Sequence, residues 1–153
     1  MGRTPSPAVP AAAALLFALW IAYLATLAWS TRRPVVLSRP QFLVAPLVVI
    51  ADVPIPGEPP VVRRVVHAAP GVPRLAEGSP VDVVNLGPNT DGWTTPGRYI
   101  LPLAPLPRPP GSTSYRVIEI PRSPGYPGGP ARVYPATPQA EQSLSLLLAE
   151  LHG

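Results

Sequence analysis

The chain has 153 residues, of which 26 are Pro and 12 Gly, and a hydrophobic fraction of 46%. That apolar content excludes a disordered tail, because surface of this kind must be hidden from water, and the length allows one ordinary domain. The absence of Cys excludes disulfide scaffolds, thiolate zinc sites, iron–sulfur clusters and cysteine nucleophiles, while the net charge of +4 comes from 12 scattered Arg against 8 acids.

In chain order, a short tail over 1–8 precedes an apolar run at 9–30 with no charged residue. The run is long enough to cross a hydrocarbon core of roughly 30 Å at about 1.5 Å per residue. Pro5 and Pro7 precede it, Pro10 stands at its start and Pro34 follows it, so breakers bound it on both sides. Trp29 stands where an interfacial aromatic belongs, and Arg32 and Arg33 stop the segment. A cleaved signal peptide is the competing reading, with Arg3 in its charged region, but hydrophobic regions of that type run only about 7–15 residues. We therefore expect a single-pass transmembrane helix, followed by a juxtamembrane linker at 31–39. Arg32, Arg33 and Arg39 outnumber the positive charge before the span, which directs the following domain to the cytoplasm. A periplasmic or extracellular domain is the alternative. Ala14, Ala18, Ala22 and Thr26 recur at every fourth position and form a ridge of small side chains suited to helix packing in lipid.

Beyond the linker, 40–153 reads as a small mainly-β domain, with strands expected at 47–53, 61–68, 81–86, 99–103, 115–120 and 132–134. Turn chemistry separates them at Pro56-Gly57-Glu58, Glu77-Gly78-Ser79, Asn89-Thr90-Asp91-Gly92, Pro124-Gly125 and Gly128-Gly129. The spacing suits a small sheet or partly open barrel of oligonucleotide-binding type, with Pro46, Pro102 and Pro121 at strand ends or edges. Pro102 to Pro110 is prone to polyproline geometry and reads as a stiff interstrand loop. At the C-terminus, Ala140, Leu144, Leu147, Leu148 and Leu151 repeat at helical spacing, so an amphipathic helix is expected over 138–152, capped by Thr137 with Pro138 at its first position.

Chemistry-bearing constellations are sparse. His67 and His152 lack a metal-ligand spacing, and the eight acids form no cluster in sequence. Ser112 and Ser114 lack a nucleophile elbow, and no phosphate-cradling Gly motif occurs. No catalytic residue, cofactor or metal is expected, and the basic residues form no stripe for nucleic acid. One anchor plus a small β-barrel resembles the membrane-anchored haem chaperones of cytochrome c maturation in plan. Their His-x-x-x-Tyr motif is absent, since Gly71 stands at that spacing from His67, and haem binding is not carried over. The expected role is that of a non-catalytic accessory or assembly subunit, in contact with membrane lipid and with a membrane-protein complex or a second copy through the transmembrane helix. The alternative is a membrane-tethered, barrel-type binding module for a small ligand, peptide or single strand.

Overall fold

The computed structural model describes residues 8–30, 35–106 and 112–152, and divides the chain into two compact units, Met1–Pro34 and Val35–Gly153. In the first unit, α1 covers Ala8–Ser30. Its side chains are described over 13–27, and every one of them is exposed. That stretch is shorter than the ~20 residues a span requires, and among the described residues no helix is long and apolar enough to cross a membrane.

The second unit is a small mainly-β domain with an antiparallel sheet and a C-terminal helix. After the short helix α2 (Arg39–Val44) come β1 (Leu47–Val53), β2 (Val61–Ala68), β3 (Gly97–Leu106), β4 (Ser114–Val117), β5 (Glu119–Ile120), β6 (Gly129–Ala131), β7 (Tyr134–Pro135) and α3 (Pro138–His152). The main sheet runs β2-β1-β3-β4, with β7 pairing β3 beyond β4, and β5 and β6 form a separate ribbon. All these pairings are antiparallel.

The two edges of the main sheet are joined by a stretch that forms no regular strand. Residues 79–84 bond to β2 on one side, where Val62 N donates to Ser79 O at 3.0 Å and Val81 N to Pro60 O at 2.8 Å. On the other side they meet β4, where Val84 N donates to Tyr115 O at 3.0 Å and Tyr115 N to Asp82 O at 2.8 Å. The first contact is antiparallel and the second parallel. Hydrogen bonding therefore continues round a ring. Asn85 extends the second contact through its side chain, accepting from Val117 N at 2.7 Å and donating to Val117 O at 2.9 Å. Two register shifts in the β1–β2 pairing, at Val48/Val49 and Ile50/Ala51, bend that wall as bulges do.

Every segment of the ring contributes to one core: Leu47, Val49 and Ala51 from β1, Val62 from β2, Val81 from the joining stretch, Leu101 and Leu103 from β3, Tyr115 and Val117 from β4. The opposite faces of β1 and β3 carry Val48, Ile50 and Ile100 into a second core with Phe42 of α2, Tyr134 of β7, and Ala140 and Leu144 of α3. With both faces covered, β1 is continuously apolar from Leu47 to Ala51, unlike the alternating pattern of a half-solvated strand.

Several expectations are corrected. The folded unit begins at Val35, inside the expected linker, and Val35 and Leu37 pack against the second core. The stretch expected as a strand at 81–86 makes only isolated bridges. The one expected at 115–120 breaks at Ile118, whose N–H turns to Pro102 O, and splits into β4 and β5. The strand expected at 132–134 is replaced by β6 and β7 on either side of Arg132 and Val133.

Pro102 is buried inside β3, not at its edge, and 102–106 are strand where a polyproline loop was expected; 107–111 lie outside the described residues. The register explains why this is tolerated. Pro102 O accepts from Ile118 N, so its nitrogen points to the same side. There β4 pairs only 103–106 and β7 only 99–100, leaving no ladder acceptor opposite position 102.

Candidate functional site

The β1–β2 connection, 54–60, contains four Pro and Gly57, and it rises beside the joining stretch of the ring. Between them lies a cleft of about 230 Å³ lined by Val53, Ile55, Pro56, Gly57, Glu58, Pro59 and Pro60, by Asp82, Val83 and Leu86, and by Trp93. Its walls are stiff, because three of the lining residues are Pro, each with φ fixed by its ring. Among the described residues, its charged lining residues are two acids, Glu58 and Asp82. Asp82 is oriented by Ser114, whose buried hydroxyl donates to Asp82 Oδ2 at 2.5 Å. Trp93 packs against the ring core, and its indole N–H is buried with no acceptor among the described residues.

A second, more open groove of about 720 Å³ lies on the other side of the same loop and shares Val53, Glu58 and Pro59 with the cleft. It holds a three-strand charge cluster: Asp52 of β1 accepts from Arg63 Nε of β2 at 2.5 Å and from Arg98 Nε of β3 at 3.1 Å. Partial burial pushes the Asp52 carboxyl up, but the hydrogen bonds and charge of the two guanidinium groups outweigh it and hold the carboxyl below its ordinary value. A carboxyl lowered on folding contributes stability above its unfolded value, and that contribution is lost as the pH falls through the folded value. Wild type is therefore expected to lose stability relative to Asp52→Asn as the pH falls below the ordinary carboxylate value of about 4. The neutral-pH difference stays below about 1 kcal/mol because the groups are exposed. Unfolding midpoints of both proteins across this range check it, and parallel acid limbs would contradict it.

The residues singled out in sequence fall elsewhere. Ala14, Ala18, Ala22 and Thr26 lie on α1, all exposed, and the Thr26 hydroxyl donates to Tyr23 O at 2.7 Å, one turn back. Trp29 is within α1, but its side chain, like Arg32 and Arg33, lies outside the described residues. His67 is half-buried inside β2 opposite Val48, and His152 ends α3. No group of three metal-ligating side chains occurs among the described residues. Ser114 is the first residue of β4 and not part of a loop.

Sequence reasoning overlooked Trp93 entirely. Glu58 and Asp82 were noted only as unclustered acids, 24 positions apart; the one signal available was the Pro-Gly-Glu turn at 56–58. Comparison of the chain with protein-family models, curated proteins and solved structures finds no match.

Proposed function

We propose that this protein is a single-pass membrane protein whose helix anchors a small non-catalytic β-domain, acting as an accessory or assembly subunit of a larger membrane complex. The observation that carries the reading is the uniform apolar exposure of α1. Leu15, Leu16 and Phe17 are 65%, 68% and 67% exposed, and Leu19, Trp20 and Tyr23 each 59%. A helix apolar on every side is matched to lipid or to a protein interior, not to water. Over 9–30 the uncharged run is long enough to span. In this reading Trp29, Arg32 and Arg33 sit at the membrane surface, Ala14, Ala18, Ala22 and Thr26 form the ridge that packs on a partner helix, and the β-domain faces the cytoplasm.

The test is fractionation of the full-length chain, followed by mild detergent extraction and native mass measurement. The expected result is that alkaline carbonate leaves the protein in the membrane pellet and that it emerges in a complex larger than one chain. Release by carbonate overturns the anchor, and a lone monomer overturns the subunit role.

A second reading, a tethered binding module, is favoured by the order of the ring. With its five segments numbered along the chain, bonding runs 1-2-3-5-4 and back to 1, and segments 3 and 5 are parallel. That arrangement suits the five-stranded, partly open barrel of oligonucleotide-binding type, a fold that presents ligands to a barrel face and its flanking loops. The cleft under the loop 54–60 lies at such a position.

A further inference from the structure

We propose that the outer face of α2 rests on the membrane surface, with Leu43 and Val44 set into the lipid between headgroups and acyl chains. The proposal rests on the anchor reading and deepens it by naming the surface that the anchored domain turns to the lipid.

Helix α2 is apolar on both sides. At 3.6 residues per turn, Arg39 and Leu43 share one face with Val44 beside them, and Gln41 and Phe42 occupy the opposite one. Gln41 and Phe42 are buried, whereas Leu43 is 63% and Val44 49% exposed. Among the described residues of the second unit, seven large hydrophobic side chains are exposed, and three of them, Val36, Leu43 and Val44, fall within the ten residues that open it. A fourth, Val84, lines a groove of about 370 Å³ together with Val44. Single exposed apolar residues are ordinary, but a cluster marks a surface that meets something other than water.

The length of the connection selects the lipid. Helix α1 ends at Ser30 and Val35 already packs against the second core, so four residues join them. Five steps of chain reach at most about 18 Å. With the apolar run 9–30 in the bilayer, the start of the domain stays within that distance of the end of the span, and the lipid meets Val36 and α2 without the loss of freedom that a diffusing partner incurs. Charge acts in the same direction. No acid occurs before Asp52, whereas Arg32, Arg33 and Arg39 follow the span, and a basic segment beside a span is drawn to anionic headgroups. Two acids border the patch, and each stands with an arginine: Glu150 pairs with Arg39 at 2.9 Å, and Glu119 shares the groove with Arg116. Strand β1 leads from α2 to the loop 54–60 over seven residues, roughly 20 Å. Ile55 on that loop, 56% exposed and so close to Leu43 in exposure, is therefore expected in water.

The chain contains no Cys, so Leu19→Cys, Leu43→Cys and Ile55→Cys each give a single attachment point for a nitroxide label. The test places each labelled full-length chain in nanodiscs of phosphatidylcholine with a minority of phosphatidylglycerol, and reads collisions with oxygen, which concentrates in lipid, and with a nickel chelate, which stays in water. The labels at Leu19 and Leu43 are expected to favour oxygen and the label at Ile55 nickel, with the oxygen-to-nickel ratio at Leu43 at least about fivefold that at Ile55. Val36→Cys reports the same surface independently, and adding Leu43→Glu with Val44→Glu to it is expected to raise its nickel accessibility about threefold or more. A Leu43 label as open to nickel as the Ile55 label overturns the proposal, as does a Val36 label indifferent to the glutamate pair. Shielding of the Leu43 label from both reagents also overturns it, because protein then covers α2, and spin–spin broadening in that case identifies a second copy. Water at Leu19 overturns the anchor and the proposal together. Lipid at Leu19 with water at Leu43 overturns the proposal alone and leaves the anchor standing.

Discussion

Replacing Gln41 by Leu is expected to lower the stability of the β-domain by about 3–5 kcal/mol. Gln41 is fully buried on α2, and both ends of its amide are used. Its Nε2 donates to Ile118 O at 2.5 Å and to Arg132 O at 2.9 Å, and its Oε1 accepts from the Tyr134 hydroxyl at 2.6 Å. That hydroxyl accepts in turn from Ser38 N at 3.1 Å. One side chain thus pins the chain before β1 to the β4–β5 junction, to the residue after β6, and to β7 itself. Leu fills similar volume but strands two carbonyls and a hydroxyl in a dry site, each at a cost of about 1–3 kcal/mol. Tyr134→Phe removes only the hydroxyl and is expected to cost about 1–2 kcal/mol. The double variant should fall short of the sum, because the two changes share a hydrogen bond. Denaturant unfolding of the full-length protein in detergent, read by near-ultraviolet circular dichroism, measures all three. A loss under about 1 kcal/mol for Gln41→Leu contradicts the account.

Gly92→Ala is expected to cost a comparable amount, about 3–5 kcal/mol, through an unrelated mechanism. Gly92 has φ +84°, where a side chain already costs about 1–2 kcal/mol. A Cβ built there lies 2.1 Å from the backbone oxygen of Val133, so backbone must move. The contact it disturbs is a tight one. Asp91 N donates to Ala131 O and Val133 N to Asp91 O, both at 2.9 Å, and Arg132 Nε donates to Asp91 Oδ2 at 2.6 Å. Gly71 supplies the control, since its φ of +82° is nearly the same but nothing lies within 4 Å of a Cβ there. Gly71→Ala should cost only the conformational part. Because Trp93 follows Gly92 directly, the Gly92 variant should also change Trp93 fluorescence, and an unchanged emission spectrum with wild-type stability would refute the argument.

The elements that were legible in sequence are those whose signals are local. The bounds of β1 and β2 follow from apolar runs closed by Pro and Gly, and those of α3 from its leucine period and the Thr137 cap, whose Oγ1 accepts from Ala140 N at 3.2 Å. Helix α2 was missed because six residues are too few to show a period, and its anchoring residue is a single glutamine. The true length of β3 was hidden by Pro102 and Pro105, which count against a strand unless the gap between β4 and β7 is known. The candidate site was least legible of all. Glu58, Asp82 and Trp93 are each unremarkable where they stand in the chain, and only the closing of the ring brings them to one cleft.

The ring is also uneven around its circumference, and this sets where the domain breathes. Between β1 and β3 seven consecutive residue pairs form an unbroken ladder. Between β2 and β4 the wall is a single stretch joined by one bridge on each side. Opening such a seam breaks fewer ladder hydrogen bonds than parting β1 from β3, so its free energy lies below that of global unfolding. Backbone amides of Val62, Val81, Val84 and Tyr115 should then exchange with deuterium ahead of those in the β1–β3 ladder. Since Asp82 and Val83 belong both to the seam and to the cleft wall, anything lodged in the cleft would act as a latch, and slowed exchange at those four amides would report its arrival.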